Sequence, residues 1–121
     1  MNIRPDASEL LAIARQTLLS ELLPQLPDSL RYKALMVANA VAIAGRECRD
    51  GERADAVEAQ LLAALLDDSE ASLTDARQAL CQAIRQGRFD ESGSDQDRLF
   101  LALSAITQAR LSISNPKALG Q

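Results

Sequence analysis

Apolar residues recur along the chain at the three- and four-residue intervals that are typical of amphipathic helices. In the first such stretch, Leu11, Ala14, Leu18 and Leu22 form one stripe. Similar stripes follow, and no stretch shows the strict alternation of a half-buried strand. The pattern predicts five helices, which cover approximately residues 6–23, 29–50, 53–66, 73–86 and 95–114.

Capping and breaking residues set the predicted boundaries. Asp6 and Glu9 have the spacing of a capping box. Pro24 and Pro27 are expected to end the first helix, because proline lacks the amide hydrogen that a helix interior needs. Gly51 is expected to end the second helix, since glycine readily takes the left-handed conformation of helix ends. Short connections between helices favour antiparallel neighbours.

The second predicted helix is the most apolar. Between residues 34 and 44 only Asn39 is polar, and a helix that is apolar all round is normally buried on all sides. The sequence therefore predicts an all-α fold, a compact antiparallel bundle of about five helices with a buried central second helix. We expect a single domain over residues 1–121, with an ordered core at about 6–114 and a C-terminal tail at 115–121.

Composition and charge narrow the class of protein. The 121 residues suffice for one domain that buries a core without disulfides. Aromatic residues make up only 2%, so the core is expected to consist of Ala, Leu, Ile and Val. The net charge of −4 argues against general nucleic-acid binding, and no apolar stretch has the length of a transmembrane helix. We expect a cytoplasmic protein that binds neither nucleic acid nor membrane.

Little in the sequence indicates catalysis. It has no histidine, which is the commonest general base and metal ligand. Cys48 and Cys81 lie in helical, mostly apolar stretches and are interpreted as reduced core thiols. The glycines are isolated, so no phosphate-binding loop is formed, and the acidic residues 90–97 lack the spacing of a calcium loop. The sequence thus predicts no catalytic residue, no metal site, no cofactor and no enzymatic activity.

One group of residues in the second predicted helix is a candidate site. Tyr32, Asn39 and Arg46 are seven residues apart, so they lie close to one stripe, and Arg31 and Glu47 flank it. Asn39 is expected to be buried with a partner, because an unpaired buried amide costs about 1–3 kcal/mol. The group either serves packing, with Arg46 paired to a surface carboxylate, or receives a partner protein or a small anionic ligand.

Several segments of the chain resemble a known family. The segment LRYKALMVANAVAI at residues 30–43, followed by Arg46-Glu47, is similar to the signature of a small family of unknown function. Further similarity lies at Arg4-Pro5 with Glu9-Leu10-Leu11, at residues 83–87 and at residues 111–116. Members of this family resemble the small accessory subunit of bacterial kinases with the aminoglycoside-phosphotransferase fold, which are typically encoded beside acyl-CoA dehydrogenase-like enzymes.

The resemblance implies that the chain assists such a kinase in the catabolism of hydroxy acids as CoA thioesters, where the kinase phosphorylates the hydroxyl before elimination. It does not imply that this chain binds ATP. The leading hypothesis is a non-catalytic accessory subunit that binds the kinase through apolar surface left over after the core is packed. The alternatives are a stand-alone homo-oligomer such as a homodimer, or a bundle that holds an acyl ligand in a cavity with Asn39, Arg31 or Arg46 at its mouth.

Overall fold

The computed structural model describes residues 3–120, and within that range it contains four α-helices and no strand. The all-α prediction is therefore confirmed. The elements are, in chain order, α1 (Ala7–Thr17), a π-helical segment (Leu18–Leu22), a 3-10 segment (Leu23–Gln25), α2 (Asp28–Leu66), α3 (Leu73–Arg85), α4 (Ser94–Ser114) and a final 3-10 turn (Pro116–Leu119).

Several helix ends follow the predicted signals. The carboxylate of Asp6 accepts the backbone N–H of Glu9 at 2.9 Å, and the carboxylate of Glu9 accepts the backbone N–H of Asp6 at 3.2 Å, which completes the capping box. Ser72 Oγ accepts the backbone N–H of Asp75 at 3.1 Å at the start of α3. Gly87 follows the end of α3 with a φ of +85°, a conformation that favours glycine.

The predicted second and third helices are one helix, α2, so the predicted break at Gly51 is wrong. The 39 residues of α2 span about 58 Å at 1.5 Å per residue. Gly51 is buried within the helix, and a Cβ there would lie 2.6 Å from Glu47 Oε1, so the Glu47 side chain fills that space. An interior glycine costs a helix about 1 kcal/mol relative to alanine. Tertiary packing along α2 offsets this cost, because most helix stability in proteins comes from packing.

Two helices run antiparallel to α2 and pack against different halves of it. Near the start of α1, Leu11 lies beside Gly45, so α1 covers the first half of α2. Near the start of α4, Arg98 Nη2 donates to the carbonyl of Ala64 at 2.9 Å. In the last turn of α4, a backbone carbonyl accepts from Arg46 Nε at 2.6 Å. Helix α4 therefore covers the second half of α2 and ends opposite Arg46.

The best-buried core surrounds the second half of α2. Leu62 is only 1% exposed and is the centre of a cluster that joins α2, α3 and α4. The buried members of this cluster are Leu62, Leu65, Ala76, Leu80, Phe89 and Ala102. Five of the six are Ala or Leu, as the shortage of aromatic residues predicts. Cys48 and Cys81 are both exposed, so their interpretation as core thiols is wrong.

The buried face of α2 changes side along the helix. Ala38 lies two turns before Gly45 on the face that packs against α1, and it is buried. Ala54 is also buried, but it lies sixteen residues, or about four and a half turns, after Ala38 and hence on nearly the opposite face. Ala56, five full turns after Ala38, is exposed, and Met36, five full turns before Ala54, is 51% exposed. Each half of α2 is thus buried over one face, and the prediction of a central helix buried on all sides is wrong.

A buried carboxylate connects α2, α3 and α4. Glu58 is 7% exposed, and its two oxygens accept from Arg77 Nε at 2.6 Å and Arg77 Nη2 at 2.8 Å. Arg110 Nη2 donates to the same carboxylate at 3.2 Å and also pairs with Asp55. The hydrogen bonds from Arg77, supported by Arg110, hold the pKa of Glu58 below its ordinary value despite the opposing effect of burial. The hydrogen bonds to Glu58 raise the pKa of Arg77, and the hydrogen bonds to Asp55 and then to Glu58 raise the pKa of Arg110.

Glu58→Gln keeps the shape of the side chain and removes its charge, so we expect it to lower the free energy of unfolding at neutral pH by about 1–3 kcal/mol. Because the pKa of Glu58 is lower in the folded state than in the unfolded state, its stabilisation is complete above the unfolded-state value and is lost as pH falls through the folded-state value. The stability difference between wild type and variant should therefore shrink once pH falls below the ordinary value of 4.5. Urea unfolding at a series of pH values checks this.

Glu52→Gln is the matched control, because Glu52 is an exposed glutamate on the same helix. It should change stability by no more than about 0.5 kcal/mol. A Glu58→Gln effect as small as that of the control, or one that grows toward acid pH, would contradict the role given to Glu58.

Candidate interaction surface

The first half of α2 is covered on one side only. Helix α4 ends opposite Arg46, so the part of α2 that precedes Arg46 lies beyond the end of α4. In that part, α1 and the π-helical segment pack against α2. No other α-helix within residues 3–120 covers the opposite side. The consequence is a stretch of helix surface that faces solvent.

We call this surface the open face, and its residues are Tyr32, Met36, Val37, Ala40 and Ala44, all exposed. Tyr32 is 72% exposed and Val37 is 53% exposed, although both are large and largely apolar. An exposed contiguous apolar surface on a folded protein commonly marks an interaction site. The two alanines leave the helix backbone accessible, so a partner helix could approach closely.

The open face continues the face that α3 and α4 cover further along α2. Ala40 lies five full turns before Glu58, and Ala44 lies five full turns before Leu62. Glu58 and Leu62 are buried, whereas Ala40 and Ala44 are exposed. The same side of one helix is therefore core in its second half and surface in its first half.

The charged residues along the open face are of both signs. Lys33, two turns before Ala40, and Glu47, two turns after it, are exposed and lie on the same side of α2. Arg31, five full turns before Arg49, lies on the side against which α1 packs. The open face thus has a cation at its start and an anion at its end, which favours a partner surface that is apolar with the complementary charges.

Two of the predicted site residues lie on or near the open face. Tyr32 belongs to it and Asn39 is exposed beside it, whereas Arg31 is exposed on the side of α2 against which α1 packs. The predicted burial of Asn39 is wrong, because α1 covers the other side of this part of α2. The requirement for a buried hydrogen-bond partner of Asn39 therefore does not arise.

The other two predicted site residues have contacts inside the fold. Arg46 is half-buried, and its Nε donates at 2.6 Å to the carbonyl of Ile113. That carbonyl lies in the last turn of α4, where backbone acceptors have no partner within the helix. Glu47 folds over Gly51 of the same helix. Arg46 therefore binds the end of α4 rather than a surface carboxylate.

Sequence reasoning missed four members of the open face, namely Met36, Val37, Ala40 and Ala44. A signal for them was present in the sequence, because positions eighteen residues apart share a helix face. That spacing aligns Met36 and Ala40 with Ala54 and Glu58, but it becomes useful only once α2 is known to be unbroken. The predicted break at Gly51 concealed the alignment.

Two further properties of the described residues bear on the class of site. No helix among residues 3–120 combines the length and the apolar character needed to cross a bilayer. In the same range, no three His, Cys, Asp or Glu side chains are grouped as they would be around a metal ion.

The fold and the open face define an all-α chain in which one long helix presents uncovered apolar surface. The chain belongs to the family described as domain of unknown function (DUF6285), whose signature matches residues 24–118. This match includes α2, α3 and α4 in full and leaves α1 outside it. No curated protein and no solved structure matches the chain significantly.

The contact between Arg46 and Ile113 has a measurable consequence. We expect Arg46→Gln to lower the free energy of unfolding by about 1–2 kcal/mol, because a helix-end carbonyl loses a charged donor. Arg53→Gln is the control, since Arg53 is an exposed arginine on the same helix. Thermal and urea unfolding of both variants check this. Equal stability of the two would show that the contact contributes nothing to the fold.

Proposed function

We propose that the chain is a non-catalytic interaction subunit that binds a partner protein through the open face of α2. The observation that carries the proposal is the exposure of Met36, Ala40 and Ala44 on a face that is buried further along the same helix, with the side chains of Tyr32 and Val37 exposed at its margins. Leaving such side chains in water forgoes roughly 1.5–3 kcal/mol for each large one that could be fully buried. A partner that covers the open face recovers that free energy, so the surface favours association.

The partner proposed is a kinase with the aminoglycoside-phosphotransferase fold, as the resemblance of residues 30–43 and of Arg46-Glu47 implies. The complex would act in the cytoplasm, in the catabolism of acyl-CoA or hydroxy acids. Residues 30–43, which carry most of the resemblance, include Val37 and Ala40 of the open face, whereas Tyr32 and Met36 replace residues that are more typical of the family. The kinase would present an apolar helix to the open face, with charges complementary to Lys33 and Glu47 at its ends.

A second occupant for the open face is another copy of the chain, as in a stand-alone homodimer. The same apolar surface would drive that association. The resemblance implies a kinase and not a second copy of the chain, which makes the kinase the leading partner.

The test is co-purification from the native host. The tagged chain should recover the phosphotransferase-like kinase in a fixed ratio, identified and quantified by mass spectrometry. Ala40→Glu should weaken the complex at least about tenfold, because it places a charge and extra bulk in the centre of the open face. Ala40 is exposed and helical, so stability should change by no more than about 0.5 kcal/mol.

Ala56→Glu is the matched control, since Ala56 is an exposed alanine on the other side of the same helix. It should leave kinase recovery unchanged. Recovery of the wild-type chain without the kinase, while the kinase is expressed, would refute the kinase as partner. Light scattering would then show whether the chain forms a homodimer through the open face. If Ala40→Glu and Ala56→Glu recover the kinase equally well, the open face is not the binding surface.

A further inference from the structure

A groove between α1 and α2 lies on the side of α2 away from the open face. Its volume is about 440 Å³, within the range of small-molecule sites. Leu11 and Val41 supply apolar wall, and Gly45 has no side chain to fill the floor. A Cβ at Gly45 would lie 3.7 Å from Leu11 Cβ, so the two helices come close there and enclose the base of the groove.

Three arginines line the groove, and each has donors that the fold does not use. Arg46 donates its Nε to Ile113, which fixes the guanidinium and leaves its other N–H groups available. Arg49 donates Nε and Nη2 to Asp50, at 3.1 and 3.0 Å, in an exposed pair. Arg15 is exposed and lines the groove from α1. Three arginines from two helices therefore line one groove.

The carboxylate in the lining is already engaged. Glu9 Oε1 accepts from Arg4 Nη1 at 2.7 Å and from the backbone N–H of Asp6 at 3.2 Å. Its charge is therefore directed toward the start of α1. The lining residues retain an excess of positive charge, with three arginines against Glu9. This excess is notable in a chain with a net charge of −4.

We infer that this groove binds a small molecule that carries a phosphate group and an apolar part. A carboxylate is satisfied by one bidentate arginine, whereas a phosphate offers more oxygens and up to two negative charges to several guanidinium groups. The apolar wall from Leu11 and Val41 would contact the rest of the ligand. Arg46 was a candidate ligand residue, but Arg31 and Asn39 do not line this groove.

The binding proposed for the groove is independent of the proposed function, because the groove and the open face lie on different sides of α2. Ala40→Glu should leave ligand binding unchanged, so failure of one proposal is distinguishable from failure of the other.

Octyl phosphate, below its micelle concentration, is the probe. In a two-dimensional NMR titration it should cause saturable shifts of the amides of Ser8, Ala42 and Gly45. The double variant Arg15→Gln with Arg49→Gln should weaken binding at least about tenfold, because two charged contacts are lost. Both side chains are exposed, so the variant is expected to fold, and its melting temperature verifies this. Arg46 is kept because it binds α4.

The double variant Arg53→Gln with Arg85→Gln is the control, since it removes the same charge outside the groove. It should bind octyl phosphate as the wild type does. Equal weakening in both double variants would mean non-specific attraction and would overturn the inference, as would the absence of saturable shifts. A binding assay with vesicles that contain phosphatidate tests whether the phosphate group belongs to a membrane lipid. If the chain binds these vesicles but does not bind monomeric octyl phosphate, the inference of a small-molecule site is also overturned.

Discussion

The carboxylate of Glu58 is the contact on which the second half of the fold depends. It lies on α2 and accepts hydrogen bonds from Arg77 of α3 and Arg110 of α4, so a single charge sets the position of three helices. A buried carboxylate without partners is strongly unfavourable, which restricts α3 and α4 to arrangements that bring both arginines to it. The aliphatic cluster around Leu62 then packs beside this ion pair. The mostly Ala and Leu core supplies the hydrophobic free energy, and the charges specify where the helices meet.

The point at which α4 ends explains why the other half of α2 is left open. Helices α3 and α4 assemble around the side of α2 that contains Glu58 and Leu62, and α4 ends where Arg46 binds its last turn. In the part of α2 that precedes Arg46, the same side of the helix presents Met36, Ala40 and Ala44, and no helix within residues 3–120 covers them. Helix α1 packs against the opposite side. The open face is thus a consequence of one unbroken helix that is longer than the bundle it belongs to.

The sequence predicted the parts of the fold that local chemistry determines, such as the capping box of Asp6. It failed where tertiary packing overrides local preference. Glycine disfavours a helix interior, yet α2 continues through Gly51 because tertiary packing before and after this residue stabilises the helix. The apolar residues 34–44 were predicted to be buried all round, because a sequence shows how apolar a helix is but not which faces its neighbours cover. Arg46 and Tyr32 belong to one predicted stripe, but the end of α4 engages Arg46 and leaves Tyr32 exposed.

The proposed role of the open face is tested most directly by hydroxyl-radical footprinting of the side chains of Tyr32 and Met36. The free chain, at concentrations where it is monomeric, is compared with its complex with the proposed kinase partner. We predict that both side chains react as exposed residues in the free chain and become protected in the complex, while the reactivity of Phe100, which is 70% exposed on α4, does not change. Unchanged reactivity of Tyr32 and Met36 in the complex, or protection already present in the free monomer, would contradict the claim that the open face of α2 is a binding surface.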